Sequence, residues 1–458
     1  MKSRLKILFL TLFVVFTAGD ALGVPAKGDV WPVQESVDTF TIAIRNRLDT
    51  LLAGDIFDRT QLGLYVYDIT ADRPLYARGE RQCLRPASCM KVMTAVTALH
   101  HLGGDYKYKT ELYRTDAAAT TTAGFTALAG DSSVLSTDTL STPLVAGAVP
   151  HTASIAIRGG MDPLFGSDDL RAFIQTLRAD SISTITGPII LDVSLKDTTS
   201  LGWGWCWDDK AVPLTPLLYS GKATFETHLR QALKDAGITF DGSFVRKTIP
   251  SKARLLATRT HTIDQILQPM MKKSNNLYAE TLFYQLPQTH RYASHKDAAA
   301  QVNHLISLTG HNTDHYQVAD GSGLSLYNYV TAELLVDVLR YAYTNREIYN
   351  HLVPALPIMG RDGTLRKRCI GTSAQDRVQA KTGTVTGVSS LAGYALAPNG
   401  HQLAFAIINQ GIRHTSTGRN FQDRVCQALT RPLDLPDSIE PDPLANPAED
   451  EDAQEEEE

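Results

Sequence analysis

The chain has 458 residues, more than a single compact domain usually holds, and its 43% hydrophobic and 20% charged residues are typical of a globular protein with a sizeable core. The formal net charge is −5, but eight of the last ten residues are acidic, so the rest of the chain is nearly neutral. No basic stripe or basic helix occurs, which excludes nucleic acid as an expected partner.

The first 23 residues have the pattern of a secretory signal peptide. Three basic residues within the first six positions precede an apolar run over residues 7–16, and small residues follow, so we expect cleavage after Ala21 or Gly23. The alternative is a membrane anchor, but ten apolar residues are too few to span a bilayer, which needs about 20. The sequence therefore predicts an exported protein without stable membrane insertion after cleavage.

The next predicted elements are a strand over residues 62–70 and a helix that opens in the stretch RPASCMKVMTAVTAL, residues 85–99. Ser88 and Lys91 lie three residues apart at the start of this helix. Ser88 is therefore either a helix N-cap or a nucleophile with a lysine base one turn away. This stretch alone does not decide between the two.

The middle of the chain has a different composition. Residues 110–150 are rich in Ala, Thr, Ser and Gly, and the helices predicted after them cover residues 168–180 and 224–238. Beyond residue 258 the helical pattern becomes regular again. There the sequence predicts two helices over residues 262–286, separated by the break KKSNN, and another helix over residues 331–344.

The end of the chain is rich in predicted strands. One covers residues 377–385, a hairpin turning at PNG covers residues 389–411, and a helix over residues 419–430 closes the folded part. The predicted helices and strands are of a similar kind near both ends of the chain, and the segment between them differs in composition. This pattern predicts one domain that is split in sequence by an inserted domain. The predicted units are a signal peptide (1–23), a discontinuous main domain (30–105 and 258–432), an inserted domain (106–257) and a disordered acidic tail (435–458).

The five cysteines show neither a CxxC pair nor metal-ligand spacing. In an exported chain some of them could pair, but five is an odd number, and free buried thiols remain the alternative. Cys89 and Met90 are expected to pack in the core. The sequence predicts no metal or organic cofactor.

Three short polar motifs occur in order along the chain. They are Ser88-x-x-Lys91 at a helix start, Ser274-Asn275-Asn276 in a break between helices, and Lys381-Thr382-Gly383 in a strand before a turn of small residues. Each has an ordinary structural interpretation as an N-cap, a polar break or a strand edge. Their order and settings together indicate one catalytic site.

The chemistry of these residue types is that of nucleophilic catalysis. A serine hydroxyl needs a base within hydrogen-bonding distance, and positions i and i+3 of a helix share a face. Lys91 acts as a base only when neutral, which requires its pKa to fall roughly three and a half units below the ordinary value near 10.4. Burial and a second cation, for which Lys381 is the candidate, lower a lysine pKa. The remaining expected roles are proton transfer for Ser274, binding of the substrate amide for Asn276, and an oxyanion hole from the backbone N–H groups of Ser88 and Thr384.

With these motifs the chain resembles the penicilloyl-serine transferases, and more narrowly the D-alanyl-D-alanine carboxypeptidases of the type-4 (class C, low-molecular-mass) penicillin-binding proteins, peptidase family S13. Further matching stretches follow in order: GGMDP, ITGPIILD, GWCWDD, VADGSGLSLYN, LPIMGRDGTLRKR and AKTGTVTGVSSLAGY. The resemblance implies an α/β (α+β) fold with a transpeptidase domain like that of penicillin-binding proteins and serine β-lactamases. In such a fold an antiparallel sheet is flanked by helices, and a mixed, β-rich inserted domain splits the transpeptidase domain in sequence.

The resemblance also implies an activity. It is that of a periplasmic serine carboxypeptidase that removes the terminal D-Ala of peptidoglycan stem peptides, often cuts cross-links as a D,D-endopeptidase, and is acylated by β-lactam antibiotics. By position, Ser88 matches the nucleophile and Lys91 the base. The other matched positions are Ser274, Asn276 and Lys381 in the second and third motifs, and Thr382, Gly383 and Thr384 in the substrate-binding strand.

Recognition of the substrate side chain is where the chain departs from the family. Asp209, in GWCWDD, matches a family aspartate that contacts the amino end of a diaminopimelate side chain; the alternative is an acid in a surface turn. Some members carry an arginine for the diaminopimelate carboxylate at the position of Leu326. Only about 15 residues separate GWCWDD from the next predicted helix. We therefore expect one inserted domain, with a second inserted subdomain reduced or absent.

Two other functions remain open at this point. One is a non-catalytic module that binds penicillin or cell-wall peptides, against which the intact motifs argue. The other is a serine β-lactamase, which needs a positioned base for rapid hydrolysis of the acyl-enzyme, and the sequence offers no candidate for that base.

Overall fold

The structure, a computed structural model, describes residues 39–115, 151–206, 208–209, 211–288 and 291–433. The predicted signal peptide and acidic tail lie outside these residues, as does most of the segment rich in Ala and Thr. Among the described helices none is long and apolar enough to cross a membrane.

Ten α-helices occur in the described residues. They are α1 (Thr39–Leu52), α2 (Met90–Leu102), α3 (Ser167–Ala179), α4 (Phe225–Asp235), α5 (Ile263–Lys272), α6 (Asn276–Phe283), α7 (His295–Leu308), α8 (Ala332–Thr344), α9 (Arg346–Ala355) and α10 (Thr415–Thr430). The strands are β1 (Gln61–Asp68), β2 (Arg73–Arg78), β3 (Lys107–Arg114), β4 (His151–Ala153), β5 (Ile155–Arg158), β6 (Ile182–Ile185), β7 (Ile189–Asp192), β8 (Phe244–Arg246), β9 (Arg254–Thr262), β10 (Val378–Val385), β11 (Val388–Leu396) and β12 (Gln402–Gln410).

The main sheet is antiparallel, with the strand order β10-β11-β12-β1-β2. β1 comes from the N-terminal part of the chain and pairs with β12 from the C-terminal part, so the two ends share one sheet. β11 and β12 are buried almost throughout because helices cover both faces. α1 and α10 pack on one face, and α2 with α5–α9 on the other, which gives two hydrophobic cores.

A second sheet has the strand order β8-β7-β5-β3-β9. It is mixed, because β5, β7 and β8 run parallel while β3 pairs antiparallel with its neighbours. Together with α3 and α4 it encloses a third hydrophobic core in the described residues. The predicted division between residues 257 and 258 falls inside β9, which continues to Thr262.

Most of the predicted elements are confirmed, and three helices were not predicted. The strand near residue 62, the helices α3, α4, α5, α6, α8 and α10, and the hairpin of β11 and β12 lie where the sequence places them. The unpredicted helices are α1, α7 and α9. All five cysteines, which are Cys83, Cys89, Cys206, Cys369 and Cys426, are free.

Candidate active site

Ser88 lies in a tight turn between the main sheet and α2. Residues Ala87–Cys89 form a single 3₁₀ turn, and α2 begins at Met90, with Cys89 rather than Ser88 at its N-cap position. Cys89 and Met90 are fully buried, as predicted. Ser88 is half-buried and its side chain caps no helix, so its interpretation as an N-cap is wrong.

The turn is held against the main sheet by hydrogen bonds from buried side chains. The hydroxyl of Ser390 in β11 donates to the carbonyl oxygen of Pro86 at 2.6 Å. The thiol of Cys89 donates to the carbonyl oxygen of Lys381 at 3.2 Å. These bonds place the first motif directly beside the third, although almost 300 residues separate them in sequence.

Lys91 is fully buried, and its Nζ has three close polar partners. They are Ser88 Oγ at 2.8 Å, Asn276 Oδ1 at 2.7 Å and the carbonyl oxygen of Ser322 at 2.8 Å. The two carbonyl oxygens can only accept hydrogen bonds. A neutral amine has two N–H groups, which these acceptors use, and its lone pair is then left for the hydroxyl proton of Ser88. This is the arrangement that a general base requires.

The surroundings of Lys91 favour its neutral form. Burial lowers the pKa of Lys91 well below its ordinary value, and the nearby positive charge of Lys381 lowers it further. Lys381 is the cation that the sequence predicted for this purpose. The carboxyl groups of Asp320 and Glu280 act in the opposite direction when they are ionised, since negative charges stabilise an ammonium group.

The loop that supplies the Ser322 carbonyl was not identified as part of the site from the sequence. Glu280, buried in α6, accepts hydrogen bonds from the backbone N–H groups of Gly321 (3.1 Å) and Ser322 (2.8 Å). Burial raises the pKa of Glu280 to about 8. Asp320 accepts a hydrogen bond at 2.9 Å from the indole nitrogen of Trp205, which lies between β7 and α4.

The second and third motifs meet at a second lysine–serine pair. Nζ of Lys381 donates to Ser274 Oγ at 2.8 Å and to the carbonyl oxygen of Thr382 at 2.7 Å. Ser274 has a φ of +58°, a left-handed conformation uncommon for a residue with a side chain, in the break between α5 and α6. Asn276 follows as the first residue of α6. Within this break the side chain of Ser274 therefore points to Lys381, and the side chain of Asn276 points to Lys91.

Gly383 allows β10 to pass very close to the turn that carries Ser88. A Cβ atom at this position would collide with Ser390 Oγ and lie only 2.8 Å from the Pro86 carbonyl oxygen and 3.0 Å from the Cys89 nitrogen. β10 is the edge strand of the main sheet, but its first residues pair with residues 357–359, where the Ala380 N–H donates to the Pro357 carbonyl oxygen. An added strand can therefore pair with this edge from Thr382 onward. Glycine here lets an extended peptide on that edge reach Ser88.

The predicted substrate-binding residues lie in two places. Thr382 and Thr384 of β10 line a pocket on the α10 side of the strand, where the Thr382 hydroxyl donates to Thr364 Oγ1 at 2.7 Å. Asp209 instead accepts a hydrogen bond at 2.6 Å from the backbone N–H of Cys206 in its own loop. In the described part of the chain no hydrogen bond or ion pair joins Asp209 to the motif residues.

The geometry therefore brings Ser88, Lys91 and Asn276 into one hydrogen-bonded group, and Lys381 with Ser274 into an adjacent one. Such a site can activate a serine hydroxyl for attack on a carbonyl carbon beside an open strand edge. No cluster of His, Cys, Asp and Glu suited to a metal ion occurs among the described residues.

Comparison with known proteins gives consistent results. The model of the D-Ala-D-Ala carboxypeptidase 3 (S13) family matches residues 44–220 and 218–431. The chain is 29% identical to the D-alanyl-D-alanine carboxypeptidase of Actinomadura sp. (strain R39), over 80% of this chain and 81% of that one. It is 28% identical to carboxypeptidase DacB of Mycolicibacterium smegmatis, over 88% of each.

Solved structures share the fold. The crystal structure of penicillin binding protein 4 (dacB) from Haemophilus influenzae matches 84% of this chain and 98% of its own, with a TM-score of 0.69 and 20% identity. The same protein complexed with a novel β-lactam matches 83% of this chain and 97% of its own, with a TM-score of 0.62 and 20% identity.

Proposed function

This chain belongs to the D-Ala-D-Ala carboxypeptidase 3 (S13) family, and we propose that it removes the terminal D-Ala of peptidoglycan stem peptides through an ester formed on Ser88. The observation that carries the proposal is the contact of the fully buried Lys91 Nζ with Ser88 Oγ at 2.8 Å, with both N–H groups of the neutral amine taken by other acceptors. That contact supplies the base that a serine nucleophile needs.

In the acylation step the substrate strand lies along the open edge of β10 with its scissile carbonyl carbon beside Ser88. Lys91 takes the hydroxyl proton as Ser88 Oγ forms a bond to that carbon. The C–N bond then breaks, and the proton passes through Ser274 to the leaving nitrogen, so that D-Ala departs as a neutral amine. The backbone N–H groups of Ser88 and Thr384 stabilise the oxyanion, and water later hydrolyses the ester.

The same reaction extends to two further ligand classes. A D-Ala–diaminopimelate cross-link has the same acyl half with a larger amine as leaving group, so we infer D,D-endopeptidase activity as well. We expect β-lactams to acylate the same serine. Attack of Ser88 on the β-lactam carbonyl breaks the ring C–N bond, and the amine then stays attached to the acyl group instead of departing. The signal-peptide pattern of residues 1–23 supports export, which would bring the enzyme to peptidoglycan in the periplasm.

Asp209 is proposed to contact the amino end of the diaminopimelate side chain. The loop that contains Asp209 is held next to the loop of Asp320 and Ser322 by the hydrogen bond between Trp205 and Asp320. Asp209→Ala is expected to lower kcat/KM on a diaminopimelate pentapeptide and to leave acylation by benzylpenicillin unchanged. An unchanged kcat/KM on the peptide would show that Asp209 does not contact the substrate and only stabilises the turn in which it lies.

The main proposal is tested by intact-mass measurement of the mature protein after incubation with benzylpenicillin. We expect a long-lived adduct of one penicilloyl unit in the wild type, no adduct in Ser88→Ala, and a normal adduct in Ser307→Ala, an exposed serine on α7. Hydrolysed drug without an adduct would indicate a β-lactamase. Intact drug without an adduct would indicate a non-catalytic binding module.

A further inference from the structure

Three aromatic side chains form a partly exposed cluster beside the loop that contains Ser322. Trp203 is 42% exposed and Tyr327 is 48% exposed, with 5.2 Å between their ring centroids. The indole of Trp203 also stacks on the imidazole of His295, with 5.2 Å between the centroids and 21° between the ring planes. We call the side chains of Trp203, Tyr327 and His295 the aromatic platform. Large rings left open to solvent side by side are typical of a binding surface.

The aromatic platform lies close to the reacting groups. Tyr327 follows Ser322 by five residues, which span at most about 18 Å of chain, and the Ser322 carbonyl oxygen lies 2.8 Å from Lys91 Nζ. In a pentapeptide, the four residues between the scissile bond and the glycan chain span up to about 14 Å. The glycan that carries a stem peptide bound at Ser88 is therefore within reach of the platform.

The loop that presents the indole is fixed by close packing. Gly204, directly after Trp203, has a φ of +79°, and a Cβ atom there would lie 2.5 Å from both Ser325 Oγ and the ring of Tyr327. Only glycine allows this approach, so the loop of Trp203 packs directly on the loop of Tyr327. A ring that is held in place before a ligand arrives loses little conformational entropy on binding.

The size of the platform indicates what it binds. Two aromatic side chains of about 150–250 Å² each, exposed by 42% and 48%, offer roughly 150–200 Å². A stable protein interface needs about 800 Å² on each side, so this surface is too small for a protein partner. It is large enough for a sugar ring, whose C–H face packs on an aromatic ring.

A hydrogen-bond acceptor for the edge of such a ring lies next to the platform. Burial and the charge of Lys296 lower the pKa of His295, and the negative charge of Asp197 acts against them, so this carboxylate is near the imidazole. Its Oδ1 accepts from Nζ of the buried Lys196 at 2.8 Å, while in the described residues its Oδ2 accepts no hydrogen bond. Hydroxyl and acetamido N–H groups of an amino sugar are donors that this oxygen can accept.

We propose that the aromatic platform binds an N-acetylated amino sugar of the glycan chain that carries the stem peptides. The inference rests on the proposed function, because it concerns another part of the same substrate. Contacts to the glycan add binding energy away from the scissile bond. The enzyme is therefore expected to prefer stem peptides attached to glycan over free peptides of the same sequence.

The test compares a pentapeptide attached to a disaccharide of N-acetylated amino sugars with the same pentapeptide alone. Trp203→Ala is expected to lower kcat/KM on the disaccharide substrate by about 5- to 10-fold, the effect of one aromatic contact, and to leave kcat/KM on the peptide alone within twofold. Trp203→Phe keeps a ring and should recover most of the loss. Leu396→Ala is the matched control, since it removes an apolar side chain of equal exposure, 42%, at the end of β11.

Three results would overturn the inference. An equal loss on both substrates would show that Trp203 contacts the peptide or only supports the loop of Ser322. No loss on either would place the platform outside the substrate path. A wild type that cleaves the free peptide as fast as the disaccharide substrate would show that the glycan makes no contact.

A binding measurement separates these results from a failure of the proposed function. The tetramer of N-acetylglucosamine should change the tryptophan fluorescence of the wild type but not that of Trp203→Phe. A wild type that forms no penicilloyl adduct and cleaves neither substrate overturns the proposed function. In that case binding of the tetramer at Trp203 would still support a sugar site, and its absence would overturn this inference as well.

Discussion

Replacement of Asn276 by aspartate tests whether Lys91 works as a neutral base. The substitution keeps the size and shape of the side chain but places a carboxylate where Oδ1 now lies 2.7 Å from Lys91 Nζ. At 2.7 Å and an effective dielectric constant of about 20, a unit negative charge attracts the ammonium form by about 6 kcal/mol, or roughly four pKa units. Burial of the new carboxylate reduces this, and we take about two units as the lower bound.

The expected result is a shift of the pH profile. At pH 7 a rise of two units in the pKa of Lys91 lowers the neutral fraction by up to about 100-fold, and the acylation rate falls in proportion. The assay is the second-order rate constant for acylation by benzylpenicillin from pH 6 to 10, measured by acid quench and intact mass. The rising limb of the profile should move to higher pH, so that the variant approaches the wild type under alkaline conditions.

Asn275→Asp provides the control, because Asn275 is the N-cap of α6 and accepts from the backbone N–H of Tyr278 at 3.3 Å instead of contacting Lys91. It introduces the same charge one residue away, and it should shift the rising limb of the pH profile far less. A lower plateau in Asn276→Asp with the limb in its original place would refute the reasoning. Asn276 would then act only on the substrate amide.

Three further changes have defined outcomes. Gly383→Ala should slow acylation at least tenfold, because a Cβ there displaces the turn at residues 86–89 that carries Ser88; the rate constant is measured with benzylpenicillin. Trp205→Phe leaves the buried Asp320 without one donor and should lower the free energy of unfolding by about 1–3 kcal/mol in urea titrations. His261→Gln should lower Tm more at pH 5.5 than at pH 8.5. The hydrogen bond to Asp162 raises the pKa of His261, so its stabilisation is complete below the unfolded pKa near 6.5 and is lost as pH rises through the folded pKa.

Each of these expectations can fail in a recognisable way. A normal acylation rate in Gly383→Ala would mean that the turn tolerates displacement. Trp205→Phe with unchanged urea unfolding would indicate that another donor or water satisfies Asp320. For His261→Gln, the same decrease in Tm at both pH values would assign its effect to packing rather than to the charge on the imidazole.

Those parts of the site that consist of side chains could be predicted from the sequence. Ser88, Lys91, Ser274, Asn276 and Lys381 have chemistry that can be named without a structure, and short motifs keep their members adjacent. The carbonyl of Ser322 is different, because every residue has a backbone carbonyl. It lies 231 residues from Lys91 in sequence, and only the folded loop identifies it.

The helices that were not predicted have local explanations. α7 begins with a capping box of Ser294 and Asp297, a signal that was present in the sequence but not used. Only Asn345 separates the end of α8 from the start of α9 at Arg346, so the helical pattern has no clear start there. α9 also contains Pro354, a residue that usually breaks a helix.

The pair of buried lysines also limits the lifetime of the protonated base in the proposed reaction. Lys91 and Lys381 are both fully buried, and the positive charge of Lys381 lowers the pKa of Lys91. When Lys91 takes the proton of Ser88, the site holds two cations in a poorly solvated space, which is unfavourable. Passing that proton to the leaving nitrogen relieves the repulsion, and Ser274, bonded to Lys381 at 2.8 Å, is placed to carry it. The arrangement that makes Lys91 a base therefore also makes its protonated form short-lived, so the proton is passed on readily once the leaving nitrogen can accept it.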